Sequence, residues 1–410
     1  MRRILLYMLL LSASVSANAA ENELKLGVTT ATQYNTNVAN VSQGKEDSFA
    51  FDIGPKIKFD SAGAKYEAGA SYSTHFATYS QDGRRDNLSH HVGVHADYRP
   101  TSRLKFGIND VFSLQSDADR DFTDNSATAA VGGETTTNDG NGDKDTVRNV
   151  LNAKARYAFS PRLSANSSFG YSIVERQDLD LADTNQVSGR FNGEYTISPK
   201  DSIGIGVNLR HQTVEAANEI VVDGRNLGDN ITDYYGFFAF INHRFTPLLS
   251  ASVSGGPTWL LANRKNDGEK GSTSTDYFAN ASLIADINGG SASVSYQRSS
   301  SDFARTSTAF IQDAVSVNAD WAMSRRLLFG VVGEWNQRKA ILRFDNAAFV
   351  DKVKQWRGAA TATYHLRPDL STHLTFDYLR QKATGQSDEG ASDRFRLVLR
   401  FDYNARAFRF

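Results

Sequence analysis

The sequence of 410 residues contains no cysteine, only 7 prolines, and no long apolar run beyond its first 20 residues. The lack of cysteine excludes a disulfide framework and any cysteine-based metal site. Lys and Arg together number 45 and Asp and Glu 46, so the charge balance does not indicate a dedicated nucleic-acid binder. The chain nevertheless has 25 Phe, 16 Tyr and 4 Trp, too many for a disordered protein. Its mean hydropathy of −0.43 is typical of soluble proteins, but strands that alternate apolar and polar residues also average to low values.

Residues 1–19 have the features of a secretory signal peptide. Arg2 and Arg3 supply a positive start, an apolar stretch follows from Ile4, and Ala17–Ala19 is a small-residue cleavage site. The apolar stretch is too short to span a bilayer as a helix. We therefore expect an exported protein whose mature chain, residues 20–410, forms a single domain.

After residue 20 the sequence alternates between apolar and polar residues. Phe49–Phe59, Leu151–Phe159 and Phe395–Tyr403 each place apolar residues at every second position. A period of two predicts β-strands with one apolar and one polar face.

Short links and longer polar segments divide this pattern into hairpins. Eight short links alternate with nine longer segments, which predicts about 18 antiparallel strands. Short turns at one end and long loops at the other are typical of outer-membrane barrels, where the turns are periplasmic and the loops extracellular. We predict an all-β, transmembrane, antiparallel up-and-down β-barrel. The links are Asp60–Gly63, Arg99–Thr101, Ser160–Arg162, Ser198–Lys200, Thr246–Leu248, Asn288–Gly290, Ser324–Arg325 and Arg367–Asp369, and the loops lie near 38–46, 80–87, 116–146, 176–184, 216–232, 263–275, 299–311, 338–353 and 382–392.

At or just before most of the short links there is an aromatic residue on the apolar face of the strand. This placement favours an interfacial aromatic girdle, where amphipathic rings lie at the level of the lipid headgroups. The alternative is the general abundance of aromatics in strands. The candidate girdle residues are Phe59, Tyr98, Phe159, Tyr195, Phe245, Trp321, Tyr364 and Tyr403.

A closed barrel leaves no free strand edge, so the first strand must pair with the last. We expect Leu24–Thr36 to pair with Arg394–Tyr403. Phe408 and Phe410 are out of phase with Phe401 and Tyr403. Either a bulge lies near Asn404–Ala405, or the last six residues turn away from the wall.

If the apolar residues face lipid, the alternate residues face the lumen. A lumen with locally paired charges and a basic lumen that favours anionic solutes are both compatible with this assignment. Replacing Arg396 or Arg400 by glutamate should then shift ion selectivity towards cations and leave folding intact, whereas replacing Leu397 or Leu399 by arginine should impair assembly. The candidate pore-lining residues are Lys56, Lys58, Lys154, Arg156, Arg190, Glu194, Arg210, Arg244, Arg357, Asp377, Arg394, Arg396 and Arg400.

The segment 116–146 is strongly acidic. It is consistent with a solvated external loop, with a divalent-cation bridge to surface polysaccharide, or with a loop folded into the pore. Asp139–Asp145 has the oxygen spacing with which a calcium loop begins, but it lacks the expected sixth glycine and twelfth acid.

No cofactor, metal site or catalytic motif is predicted. His91 and His95 lie on one face of a strand but are roughly 13 Å apart, too far to share one ion. No motif of a serine hydrolase, zinc protease or phosphate-binding loop is present. A Ser/His pair like that of a membrane phospholipase stays open as an alternative.

The chain resembles a family of outer-membrane porins that are often encoded beside exopolysaccharide synthesis genes. The similar features are Tyr34–Val38 at the end of the first strand, the Ser-Pro type of turn, and the final Arg394–Tyr403 strand. The resemblance implies a barrel that helps a polysaccharide cross the outer membrane of a Gram-negative bacterium. The implied partners are outer-membrane lipid and lipopolysaccharide, the barrel-assembly machinery, polysaccharide and periplasmic export components, and no nucleic acid.

Four hypotheses follow from these observations. The first is a channel that assists passage of exopolysaccharide or other anionic solutes. The second is a nutrient-uptake porin, the third a closed surface or adhesion barrel, and the fourth a membrane-embedded hydrolase. A soluble β-propeller is disfavoured because no blade motif repeats.

Overall fold

The computed structural model describes residues 21–36, 47–80, 87–116, 145–176, 183–215, 221–222, 225–226, 230–264, 272–303, 308–340, 350–385, 390–405 and 407–409. The predicted signal peptide and most of the acidic segment lie outside these residues. Within the described ranges no helix is long and apolar enough to cross a membrane.

Eighteen long strands form a closed antiparallel barrel, in which each strand pairs with its neighbours in chain order. A two-stranded hairpin, β10 and β11, lies between β9 and β12, and a short β21 ends the chain. The strands are β1 Glu21–Asn35, β2 Ser48–Ala62, β3 Tyr66–Tyr79, β4 Asn87–Tyr98, β5 Leu104–Ser116, β6 Asp145–Ala158, β7 Leu163–Arg176, β8 Asp183–Thr196, β9 Asp201–Glu215, β10 Val221–Val222, β11 Arg225–Asn226, β12 Asn230–Thr246, β13 Leu249–Arg264, β14 Ser272–Ile287, β15 Gly290–Phe303, β16 Thr308–Ala322, β17 Leu327–Ala340, β18 Val350–Arg367, β19 Leu370–Gly385, β20 Gly390–Asn404 and β21 Phe408–Arg409.

The barrel closes between β1 and β20, as predicted. Gly27 pairs with Asn404 and Asn35 with Arg396. A path that steps from each residue to its paired residue on the next strand returns to β1 after one circuit, about 22 residues from the β1 residue where it began. In an 18-stranded barrel this shear corresponds to strands tilted by roughly 40° from the barrel axis. Such an 18-stranded wall is wide enough to enclose a lumen.

A bulge between β20 and β21 explains why Phe408 is out of phase with Phe401 and Tyr403. The backbone N–H of Ala405 donates to the carbonyl of Leu26 at 2.7 Å, and Phe408 of β21 then pairs with Leu24. This pairing is shifted by one residue relative to that of β1 with β20. The extra residue returns Phe408 to the outer face, where it is exposed. Of the two alternatives, the bulge is therefore correct, and the described tail stays on the wall.

All eight predicted short links connect consecutive strands. A recurrent hydroxyl contact stabilises most of them: Ser160 Oγ, for example, accepts from the backbone N–H of Arg162 and Leu163 at 3.2 and 3.1 Å. Ser198, Thr101, Thr246 and Ser324 make the same type of bond. The β14–β15 link instead contains Gly289 at φ 82°, a conformation that glycine adopts without strain.

The strands are longer than predicted at the loop end of the barrel. β15 continues to Phe303 and β16 begins at Thr308, although 299–311 reads as loop from the sequence. Beyond the apolar band both faces of a strand contact water, so the alternation that reveals the strand is lost.

Burial alternates along the wall strands. In β2, Phe49, Phe51 and Ile53 are exposed, whereas Ala50 and Asp52 between them are buried. Exposed apolar side chains recur on the same face around the barrel, which is the lipid-facing pattern of a transmembrane β-barrel.

The candidate girdle residues lie at the turn end and, apart from half-buried Phe59, are exposed by 40% to 57%. That they form a membrane-interface girdle stays a prediction.

Candidate functional site in the barrel lumen

The polar face of the strands is the inner face. Arg210 of β9 donates a hydrogen bond from Nη2 to the carbonyl oxygen of Ser300 on β15 at 2.8 Å, although three wall strands separate β9 from β15. Only the interior of a closed barrel allows such a contact. Arg210 lies on the face opposite exposed Leu209, so the residues in phase with Arg210 face the lumen.

By this criterion, all thirteen candidate pore-lining residues lie on the inner face. Each alternates with exposed apolar residues on its strand and pairs with inner-face residues of the neighbouring strands. That they line an open conduction path stays a prediction. Their environments differ greatly, and these differences divide the lumen into two walls.

The first wall spans the closure and centres on Asp402. Its carboxylate accepts from Thr29 Oγ1 of β1 at 2.6 Å and from Lys56 Nζ of β2 at 3.2 Å. It also lies 2.8 Å from Arg400 Nε and 3.1 Å from His373 Nε2. His373 in turn contacts Thr363 Oγ1 of β18 through Nδ1 at 2.9 Å. One buried acid thus links five consecutive strands across the seam.

A second carboxylate, Asp377, lies on the same wall. Its Oδ2 accepts from Arg357 Nε at 2.7 Å and lies 3.7 Å from Arg396 Nη2. Arg357 also approaches Glu334 at 3.7 Å. The side chains of Asp377 and Arg396 are only 2% and 3% exposed, so these charges are largely removed from solvent. We call the inner face of β17–β20, β1 and β2 the paired wall, because Lys56, Arg357, Arg396 and Arg400 have carboxylate partners there.

The opposite wall is aromatic. Tyr234, Phe238 and Phe240 of β12 and Phe278 of β14 face the lumen. The guanidinium carbon of Arg210 lies 3.5 Å from the ring centroid of Tyr234 and that of Arg190 lies 4.2 Å from the ring centroid of Phe238. The strand order places this wall about half a circumference from the paired wall. We call the inner face of β8, β9, β12 and β14 the aromatic wall.

The aromatic wall is not among the sequence predictions. The signal for it is in β12, where Tyr234, Tyr235, Phe237 and Phe238 interrupt the alternation with aromatics on both faces. The lipid contact of a barrel strand requires apolar residues on its outer face only. The inward aromatics of β12 therefore indicate that its inner face has a role other than lipid contact.

The two walls differ in electrostatics. In the described part of the chain, no carboxylate lies within ion-pair distance of Arg190 or Arg210, and the aromatic rings hold their guanidinium groups in place by cation–π contact. The Nε atom of Arg210 is buried and has no hydrogen-bond partner there. The positive charge of the paired wall is therefore offset locally, whereas that of the aromatic wall is available to a solute.

Hydroxyl, carboxylate and imidazole groups meet at Asp201 and at His373. At Asp201, Ser198 Oγ and His243 Nδ1 both contact the carboxylate, and among the described residues no hydrogen bond joins the serine to the histidine as nucleophile activation would need. At His373, Ser371 Oγ and the Asp402 carboxylate both contact Nε2, at 3.1 Å each, so the carboxylate does not orient the opposite ring nitrogen as in a serine triad. Asp402 is in addition engaged by Lys56 and Arg400. In the ranges that the structure describes, no group of three or more His, Asp or Glu side chains could hold a metal ion. The predicted calcium-like stretch Asp139–Asp145 lies almost wholly outside those ranges.

Fold and inner surface together define the class of the protein, an 18-stranded transmembrane β-barrel with a charged and aromatic interior.

Two solved structures with a similar fold are the apoprotein form of the FrpB iron transporter from Neisseria meningitidis and OccK2 (OpdF) from Pseudomonas aeruginosa. FrpB is 9% identical, with a TM-score of 0.50 over 93% of this chain and 81% of the other. OccK2 is 10% identical, with a TM-score of 0.48 over 93% and 98%. No family model and no curated protein matches the sequence. At this identity the FrpB likeness speaks for the fold alone, and the OccK2 likeness supports no conclusion.

Proposed function

We propose that the chain is a porin-like channel of the Gram-negative outer membrane that favours anionic solutes. The observation that carries the proposal is the aromatic wall, where Arg190 and Arg210 are held on aromatic rings and have no carboxylate partner among the described residues. A pore with fixed, unpaired cations on one side concentrates anions and excludes cations. Residues 1–19 supply the export signal in this proposal.

Exopolysaccharide is the anionic solute implied by the family resemblance. A polymer needs many weak contacts rather than one tight site, since tight binding would stop its movement. Lys154, Arg156 and Arg244 lie on the inner face nearer the turn end and continue the basic surface beyond Arg190. Successive weak anion contacts along the lumen are thus compatible with passage of a charged chain.

Uptake of small anionic nutrients is the second candidate. It is favoured by the bond of Arg210 to the Ser300 carbonyl, which narrows the loop end of the lumen. Oligosaccharides of increasing length, added to one side of a planar bilayer, would separate the two. Partial current block whose duration grows with length favours polymer passage, and block confined to monosaccharides favours nutrient uptake.

The anion preference is tested by single-channel reversal potentials under a salt gradient. We expect an anion-selective wild-type channel and a loss of roughly half or more of that selectivity in Arg190→Gln, because the substitution removes an unpaired pore charge. Arg190→Lys is the matched control and should retain the selectivity. A cation-selective wild type, or a folded barrel without conductance, would overturn the proposal and favour a closed surface barrel.

A further inference from the structure

The wall of the barrel is split between β14 and β15 at the loop end. The two strands pair from their turn up to Ala279 and Arg298 and no further. Beyond that point β14 stays paired with β13 as far as Ser272, and β15 stays paired with β16 as far as Phe303. Over the described residues 272–278 and 299–303 the two strands thus continue side by side without backbone pairing to each other. We call this gap the notch.

The end of β15 leans into the lumen at the notch. β9 and β15 are four strand spacings apart, roughly 19 Å along the wall. This distance far exceeds the reach of one arginine side chain, yet Arg210 Nη2 lies 2.8 Å from the carbonyl oxygen of Ser300. The Ser300 backbone must therefore lie well inside the wall. A mere flattening of the barrel would bring β9 and β15 together without breaking the β14–β15 pairing, so the notch indicates an inward lean.

Ion pairs mark the point where the strands diverge. Arg298 Nη1 donates to both carboxylate oxygens of Asp313 on β16, at 3.2 and 3.1 Å, and its Nη2 donates to Asp276 on β14 at 3.2 Å. Tyr296 Oη also donates to Asp313, at 2.8 Å. Arg298 is the last paired residue of β15, whereas Asp276 lies three residues beyond the last paired residue of β14, so these contacts bridge the base of the notch. They fix β15 at Arg298, and movement is limited to the β15 residues beyond it.

Arg210 is held in a state that an anion can displace. Its guanidinium lies on Tyr234, one of its nitrogens is bonded to a neutral carbonyl, and its buried Nε has no partner in the described part of the chain. A carboxylate would accept two parallel hydrogen bonds from the guanidinium, and such charge-assisted bonds are roughly twice as strong as neutral ones. A carboxylate-bearing solute therefore competes well for Arg210 against the Ser300 carbonyl.

We propose that Arg210 is the receptor for the carboxylate of a permeating sugar acid and that its occupation releases the β15 end from the lumen. This inference rests on the proposed function for the identity of the solute. The released end moves back towards β14, where the free edges of the notch supply new hydrogen-bond partners. The solute thus widens the entrance through which it passes.

Distance measurements between spin labels test the release directly. The chain has no cysteine, so labels can be placed at Ile205→Cys and Ser300→Cys, whose side chains belong to the outer faces of β9 and β15. In lipid vesicles we expect glucuronate, but not neutral glucose, to lengthen the label distance by several ångström. Arg210→Gln should give the longer distance with or without glucuronate. Arg190→Gln, which removes a neighbouring stacked charge that has no bond to β15 among those described, lowers the selectivity but should show the wild-type label distances without and with glucuronate.

Single-channel recordings supply the second readout. We expect Arg210→Gln to raise the unitary conductance by roughly one-third or more because the entrance is wider. An anion-selective channel whose label distance and conductance are both unchanged in Arg210→Gln would overturn the inference and leave the proposed function intact. A non-conducting barrel whose label distance lengthens in Arg210→Gln and with glucuronate would overturn the proposed function and support the release.

Discussion

At the scale of single residues, the interior uses its carboxylates to hold cations rather than to bind solutes. Asp377 contacts Arg357 and Arg396, and Asp402 contacts Lys56, Arg400 and His373. Removing the acid from such a set leaves buried positive charges close to one another, which costs much more than the net value of the pair.

Asp377→Asn should lower the free energy of unfolding by about 3 kcal/mol, because it leaves Arg357 and buried Arg396 without their shared carboxylate. Asp97→Asn is the control. Asp97 and Lys105 form an inner-face pair at 3.3 Å with side chains 39% and 43% exposed, and its loss should cost less than about 1 kcal/mol. Urea-induced unfolding in lipid vesicles measures both. Equal midpoints for the two variants would contradict the different roles given to these acids.

The pairing also changes one expectation from the sequence. Arg396→Glu was expected to alter selectivity without affecting the fold, but Arg396 is 3% exposed beside Asp377. A glutamate there would place two carboxylates together in a buried site and should destabilise the barrel. Arg400 is 43% exposed, so its reversal stays the better test of selectivity on this wall.

At the scale of the strand, alternation decides which substitutions the barrel tolerates. Leu399 of β20 is exposed on the outer face, about midway along the membrane-spanning part of the strand. Its neighbours Val398 and Arg400 face inwards. The same chemical change therefore has opposite consequences at adjacent positions.

Leu399→Arg should impair assembly, because an arginine facing lipid near mid-depth costs about 2–4 kcal/mol. Leu399→Met keeps the apolar surface and should assemble as the wild type. Heat-modifiable migration on gels reports the folded fraction of each. A normally folded Leu399→Arg barrel would show that the inner and outer faces have been exchanged.

The strands and turns were largely predictable because the membrane imposes one pattern on each of them. Apolar and polar residues alternate along Phe395–Tyr403 because they face lipid and lumen in turn, and this alternation predicts strand β20. Hydroxyl and proline residues predict turns such as Ser198–Lys200. The aromatic wall was not predictable in the same way. Which inner residues meet depends on register and on strand order around the barrel, and no local pattern encodes the contact of Arg190 with Phe238.

At the scale of the whole molecule, the structure depends on the meeting of the two ends of the chain. Thr30 of β1 pairs with Phe401 of β20, both on the outer face. The predicted partners of this seam are correct, and the bulge before Phe408 explains the phase of the tail.

A disulfide can test the register of the seam. Directly paired residues have Cα atoms about 4.5–5.5 Å apart, within the range that a disulfide spans. Thr30→Cys with Phe401→Cys should oxidise nearly completely and, after boiling without reductant, should migrate faster as a looped chain. Thr32→Cys with Phe401→Cys is displaced by two residues and should cross-link poorly. Equal cross-linking of the two pairs would refute the register.

The seam also determines the order in which the molecule can be completed. β1 has β2 as an immediate partner, but its second partner, β20, lies at the opposite end of the chain. The entropy of closing so long a loop grows only slowly with its length, so the equilibrium cost is modest, whereas contacts this distant in sequence form late. The edge of β1 therefore stays open through nearly the whole folding process. β1 precedes the other strands in the chain, but its pairing with β20 is completed last.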